Sequence, residues 1–90
     1  MLRGRISGHE TQDYILSGKA GQTMTLQLET TNRHAYFTFS TDDGRRLESE
    51  TKEWSGKLPR NGYDRIRVLM KGVEATRGGV ADHRVNVDSS

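Results

Sequence analysis

The side chains able to do chemistry are three histidines, twelve acids and fourteen bases, with no cysteine among them. His9, His34 and His83 fall in separate segments, without the spacing of metal ligands and without a thiol to complete a set. Asp42-Asp43-Gly44 starts like a calcium loop but lacks that pattern's later ligands, and a turn accounts for it. Glu48, Glu50 and Glu53 contain carboxylates in number enough for a glycosidase pair, yet on an exposed strand such a run is a solvated face. No Ser/His/Asp set is marked as activated, and the glycines are too dispersed to cradle a phosphate. The sequence therefore predicts no catalytic residue, no metal and no cofactor: a protein that is not an enzyme. What remains is Lys71 and Arg77 in a glycine-rich stretch, since loops on a rigid scaffold are where binding residues sit. Solubility is the plainer use of the same charges.

The elements that would position them are strands. From Pro59 and the Asn61-Gly62 pair, a hairpin-type turn, runs a strand with Ile66, Val68 and Met70 on one face and Arg65, Arg67 and Leu69 on the other. The same period of two sets Met24, Leu26 and Leu28 against Thr23, Thr25, Gln27 and Glu29, and it sets Ala35, Phe37 and Phe39 on one side of residues 34–40. Shorter strands are expected at 3–8 and 14–17, an edge strand around Arg46–Glu48, and a closing strand at 82–88 with Val85 and Val87 inward. Polar residues 9–13 and Thr41-Asp42-Asp43-Gly44 read as turns, and 71–81 as a long loop with a helical turn at Val73–Thr76. Ser89-Ser90 should fray. No apolar period near 3.6 and no repeat is visible. The pattern predicts one domain over residues 1–90, an all-β antiparallel β-sandwich of seven to eight short strands.

Leu, Ile, Val and Phe make up only 17 of 90 residues, which raises the question of disorder. A net charge of +2 and clean alternation answer it. The core is thin, and Tyr14, Met24, Tyr36 and Trp54 are expected to add apolar area. Ten of the fourteen bases are arginine, suited to bidentate carboxylate or phosphate contacts. Acids are interspersed throughout, unlike the single basic stripe of a nucleic-acid binder, so no nucleic acid is expected. No apolar run reaches the ~18 residues of a membrane span. No apolar stretch follows Met1-Leu2-Arg3-Gly4-Arg5, so the chain shows no signal peptide. It is either cytosolic, or periplasmic or secreted with a signal removed.

A family resemblance rests on Tyr14-Ile15-Leu16 leading to Gly18-Lys19-Ala20-Gly21-Gln22-Thr23-Met24, then Ala35-Tyr36-Phe37, Trp54-Ser55-Gly56-Lys57-Leu58-Pro59, Gly62 and Ile66-Arg67-Val68. These resemble the periplasmic inhibitors of g-type lysozyme, which are similar in turn to the pre-peptidase C-terminal β-sandwich modules of secreted bacterial enzymes. The match runs from about Ile6 to Val87. It implies a non-enzymatic sandwich that plugs a lysozyme cleft through an aromatic residue after the first strand and two arginines in the loop before the last. Those positions here are His9, Gly72 and Thr76, none of which matches, while Lys71 and Arg77 stand beside the two arginine positions. The family's Gly-Asp-Tyr is Gly62-Tyr63-Asp64 here, which buries Asp64 unless a local shift turns Tyr63 inward. His83 stands where a Tyr is usual.

The leading expectation is a domain that occludes the cleft of a g-type lysozyme, with Lys71, Arg77 and His9 as partner-binding residues. The alternative is a non-inhibitory accessory or carbohydrate-binding module using exposed Trp54 and Tyr63. A third reading, nucleic-acid binding through Arg65 and Arg67, would show a steep dependence on salt. An uncovered edge strand around residues 45–50 leaves both monomer and homodimer open.

Overall fold

A computed structural model describes residues 2–41 and 44–89, with the backbone alone at 48 and 49. The strands are β1 (Leu2–Ser7), β2 (Gln12–Gly18), β3 (Thr23–Thr30), β4 (Ala35–Thr41), β5 (Arg46–Thr51), β6 (Glu53–Lys57), β7 (Gly62–Met70) and β8 (Val80–Ser89), with a short helix α1 (Gly72–Thr76) before the last. They form two four-stranded antiparallel sheets, ordered β1-β8-β3-β6 (sheet A) and β2-β7-β4-β5 (sheet B). This is the all-β sandwich that the alternation predicted.

The period of two explains the layers. In β4 the inward residues Ala35, Phe37 and Phe39 are fully buried, and Met24, Leu26 and Leu28 of β3 meet them from the other sheet. Ile66 and Val68 of β7 and Val85 of β8 complete the core. Apart from Ala35, each such side chain contributes about 1.5–3 kcal/mol on removal from water. Trp54 packs against Phe39 at a centroid distance of 4.8 Å, adding the expected apolar area. Tyr36 does not face the core; it lies on the outside of sheet B beneath two lysines.

Three expectations are corrected. Asn61-Gly62 does not close a hairpin, because β6 pairs with β3 in sheet A and β7 lies between β2 and β4 in sheet B. The segment crosses between sheets and drops Leu58, 2 % exposed, into the core. The Leu58 N–H donates to the Gln22 carbonyl at 2.9 Å, and the Gly21 N–H donates to the Leu58 carbonyl at 2.9 Å. Secondly, β5 reaches Thr51, past the expected Glu48, and its register against β4 shifts around Phe39. Thirdly, Ser89 does not fray: it ends β8 in register with Met24. Asp42, Asp43 and Ser90 lie outside the described residues, though the Gly44 N–H donates to the Thr41 carbonyl across the predicted turn.

Asp64 is buried at 3 % exposure and Tyr63 is 61 % exposed. The strand therefore keeps strict alternation, with no shift that would bring the ring inward. Asp64 is not without an interaction there, as a buried charge requires.

Candidate functional site

The predicted binding residues collect at one end of the sandwich. At that end the β1–β2 turn is closed by the Glu10 N–H donating to the Ser7 carbonyl at 3.0 Å. Glu10 Oε1 accepts from the Ser7 hydroxyl at 2.7 Å and the Ser7 N–H at 2.8 Å. The hydroxyl bond first, then the backbone bond, hold this carboxyl below its ordinary range. The turn exposes His9. It is tied to the α1–β8 connection by the Gly8 N–H, which donates to the Gly79 carbonyl at 2.8 Å.

Helix α1 begins where β7 ends. The Lys71 N–H donates to the His34 carbonyl at 3.1 Å, so the β3–β4 turn fixes its start. Ala75, 3 % exposed, faces inward and pins the helix to the fold. Its other side presents Val73, 72 % exposed. The Arg77 N–H donates to the Val73 carbonyl at 2.8 Å and caps the helix, leaving the Arg77 side chain 69 % exposed with Glu74 at 3.8 Å. His9 and Arg77 thus sit on turns that are bonded to each other.

Lys71 lies at the opposite end of α1, about 9 Å from Arg77 along its axis. Its ammonium contacts Glu50 Oε2 at 2.5 Å and stands 5.8 Å from the centre of the Tyr36 ring. Lys52 covers the same ring at 5.0 Å and donates to the Arg33 carbonyl at 2.6 Å. Lys71 is thus part of a clamped cluster, unlike Arg77. Val73, Lys52 and Tyr36 were missed as neighbours of the site. Lys52 sits in a turn without glycine or proline, and nothing in its surroundings announces a loop.

Gly72 and Thr76, the positions that the resemblance assigns to arginine, are both exposed. Gly72 has φ +66° with open space around its missing side chain. Thr76 Oγ1 donates to the Gly72 carbonyl at 3.4 Å. An arginine at 76 would meet no obstacle of backbone, whereas one at 72 would carry left-handed strain.

The residues here offer hydrogen bonds, charge and an apolar tip. Among the described residues no three of His, Asp and Glu converge as metal ligands. His83 lies between the sheets, its Nε2 2.7 Å from the Tyr14 hydroxyl. Burial pushes the imidazole down from its ordinary value, opposed by the nearby Asp82 charge. Trp54 is half-buried on Phe39, so it is not the fully exposed ring that a sugar platform was expected to use.

No family model matches the sequence, and no curated protein matches it either. Solved structures do. The Aeromonas hydrophila PliG, a periplasmic lysozyme inhibitor of g-type lysozyme, superposes with a TM-score of 0.86 at 29 % identity, covering 99 % of this chain and 83 % of that one. This is a PliG-like sandwich. The Salmonella Typhimurium PliG (TM-score 0.69, 20 % identity) and a mutant of the Escherichia coli PliG (0.73, 17 %) share its fold, each over 99 % of this chain and 85 % of theirs. The PliG-like architecture thus extends over the whole described chain, and the resemblance read from the Gly-Gln and Leu-Pro-x-x-Gly segments is upheld in three dimensions.

Proposed function

We propose that this protein inhibits a g-type lysozyme by seating the His9–Val73–Arg77 end of the sandwich in the enzyme's cleft. The observation that carries the reading is the bond between Gly8 and Gly79. It joins two turns into one ridge on a scaffold shared with an inhibitor of that enzyme class. Arg77 supplies an exposed guanidinium for the carboxylates of a sugar-cleaving site, Val73 an apolar apex, and His9 an edge contact. Lys71 contributes less, because Glu50 and Tyr36 already hold its ammonium. Such a partner places the protein in the periplasm or outside the cell.

The test is titration of the protein into g-type, c-type and i-type lysozymes while following cell-wall lysis. Inhibition of the g-type enzyme alone is expected, weakened tenfold or more, about 1.4 kcal/mol, by Arg77→Ala and less by Lys71→Ala. Thr76→Arg, which restores a family-like guanidinium on an unstrained backbone, is expected to tighten it. No inhibition by either the parent or Thr76→Arg at tens of micromolar would show that the fold is kept without the activity.

A further inference from the structure

The outer face of sheet B meets the loop end at Tyr36, beneath Lys52 and Lys71, and away from it the described charges are mostly basic. Register places Ile15 (β2), Arg65 (β7), Ser40 (β4) and Arg46 (β5) in one row across all four strands. In the next outward row Asp13 accepts from Arg67 through both oxygens, at 2.8 and 3.0 Å. The same carboxylate lies 3.8 Å from Arg65. Among the described residues of this stretch, one carboxylate therefore answers two guanidiniums, and exposed Arg46 adds a third; Glu50, further along β5, is committed to Lys71. Sheet A differs: on its outer face Arg5 pairs with Asp82 and Arg84 with Glu29. Beside Arg65 stand the two exposed apolar groups of the face, Tyr63 at 61 % and Ile15 at 55 %.

We propose that this face binds an acidic polysaccharide, a chain of sugars bearing carboxylates. Arg65 and Arg67 are alternate residues of one strand, roughly 6.6 Å apart, and so meet carboxylates repeated along an extended ligand. Asp13 fixes the Arg67 fork, while Arg65, held only at the longer distance, keeps donors for a bidentate carboxylate contact. The Tyr63 ring gives a sugar an apolar surface, and Ser17, opposite it in register, offers a hydroxyl as hydrogen-bond partner. Single-stranded nucleic acid needs successive rings to stack its bases. Here the second ring of the face, Tyr36, lies beneath Lys52 and Lys71. A second copy of the chain would bring like charges together. This inference does not depend on lysozyme binding.

Affinity electrophoresis of the full chain through polygalacturonate, dextran and a single-stranded oligonucleotide tests it. Retardation by polygalacturonate and not by dextran is expected, with binding that weakens as salt is added. Tyr63→Ala and Arg65→Ala, both at exposed positions, are each expected to lower the affinity about tenfold. Arg84→Ala, on the opposite sheet, is expected to leave it unchanged, and Tyr63→Ala to leave lysozyme inhibition unchanged. Absence of retardation by polygalacturonate, tighter retention by the oligonucleotide, or equal loss in Arg84→Ala would each overturn the proposal. So would a dimer in sedimentation that Tyr63→Ala dissolves.

Discussion

At the scale of single residues, His83 is a titratable group held almost wholly away from water. It is 4 % exposed, edge-on to Tyr14 at 5.7 Å, and its buried Nδ1 has no hydrogen-bond partner. Burial lowers the imidazole in the folded state, with Asp82 opposing it, and the same burial raises the Tyr14 hydroxyl. The sign follows. As pH falls below about 6.5, the unfolded chain takes up a proton that the folded chain refuses, so stability is fully present above that value and declines below it. The lowered carboxyls of Glu10, Asp13 and Asp82 act in a separate, more acid window. Tm measured at fixed ionic strength is therefore expected to drop between pH 7.5 and 5.0. His83→Phe, which cannot titrate, is expected to flatten that interval even if its Tm is lower throughout. An identical slope in the variant would assign the drop to other groups.

At the scale of elements, the most demanding junction is the one between β2 and the β6–β7 crossover. Gly18 stands opposite Gly62, and a Cβ at position 18 would lie 2.3 Å from Leu58 Cδ1. Gly18→Ala therefore pushes Leu58 out of the core, and overpacking of this kind costs about 1–3 kcal/mol. Urea denaturation is expected to show that loss, whereas neighbouring Ser17→Ala, on the outer face, should stay within about 0.5 kcal/mol. A silent Gly18→Ala would mean that Leu58 is free to repack. The same junction shows how far the sequence could be read. Alternation gave the buried faces of β3, β4 and β7, and applied strictly it puts Tyr63 out with Arg65 and Asp64 in with Ile66. Period alone does not say which sheet a strand joins, so Asn61-Gly62 looked like a hairpin. Leu58, alone among Pro59, Arg60 and Asn61, had no periodic partner to mark it as core. The site was legible in part for the same reason: loops could be recognised as loops, but the contact between the turns of His9 and Arg77 depends on sheet order.

At the scale of the whole molecule, sheet order also governs how the chain folds. The first strand pairs with the last, β3 pairs with β8 and β6, and β2 pairs with β7. Among the described strands, β4–β5 is the one case where consecutive strands are neighbours in a sheet. Helix α1, five residues long, cannot stand alone as a nucleus. Nearly every stabilising contact therefore closes a long loop before it contributes, and the entropy of closure comes first. Chains dominated by such pairings refold in milliseconds to seconds, where helical bundles of this size take microseconds to milliseconds. Trp54 reports on the event, because its ring reaches Phe39 only when the two sheets have met. Stopped-flow refolding followed by Trp54 fluorescence is expected to show its main amplitude between about 1 ms and 10 s. Full amplitude gained below a millisecond would mean that β4 and β5, with β6 following, bring Phe39 to Trp54 before β8 docks. The ridge of His9 and Arg77, which needs β1 and β8 in place, would then form later than the core beneath it.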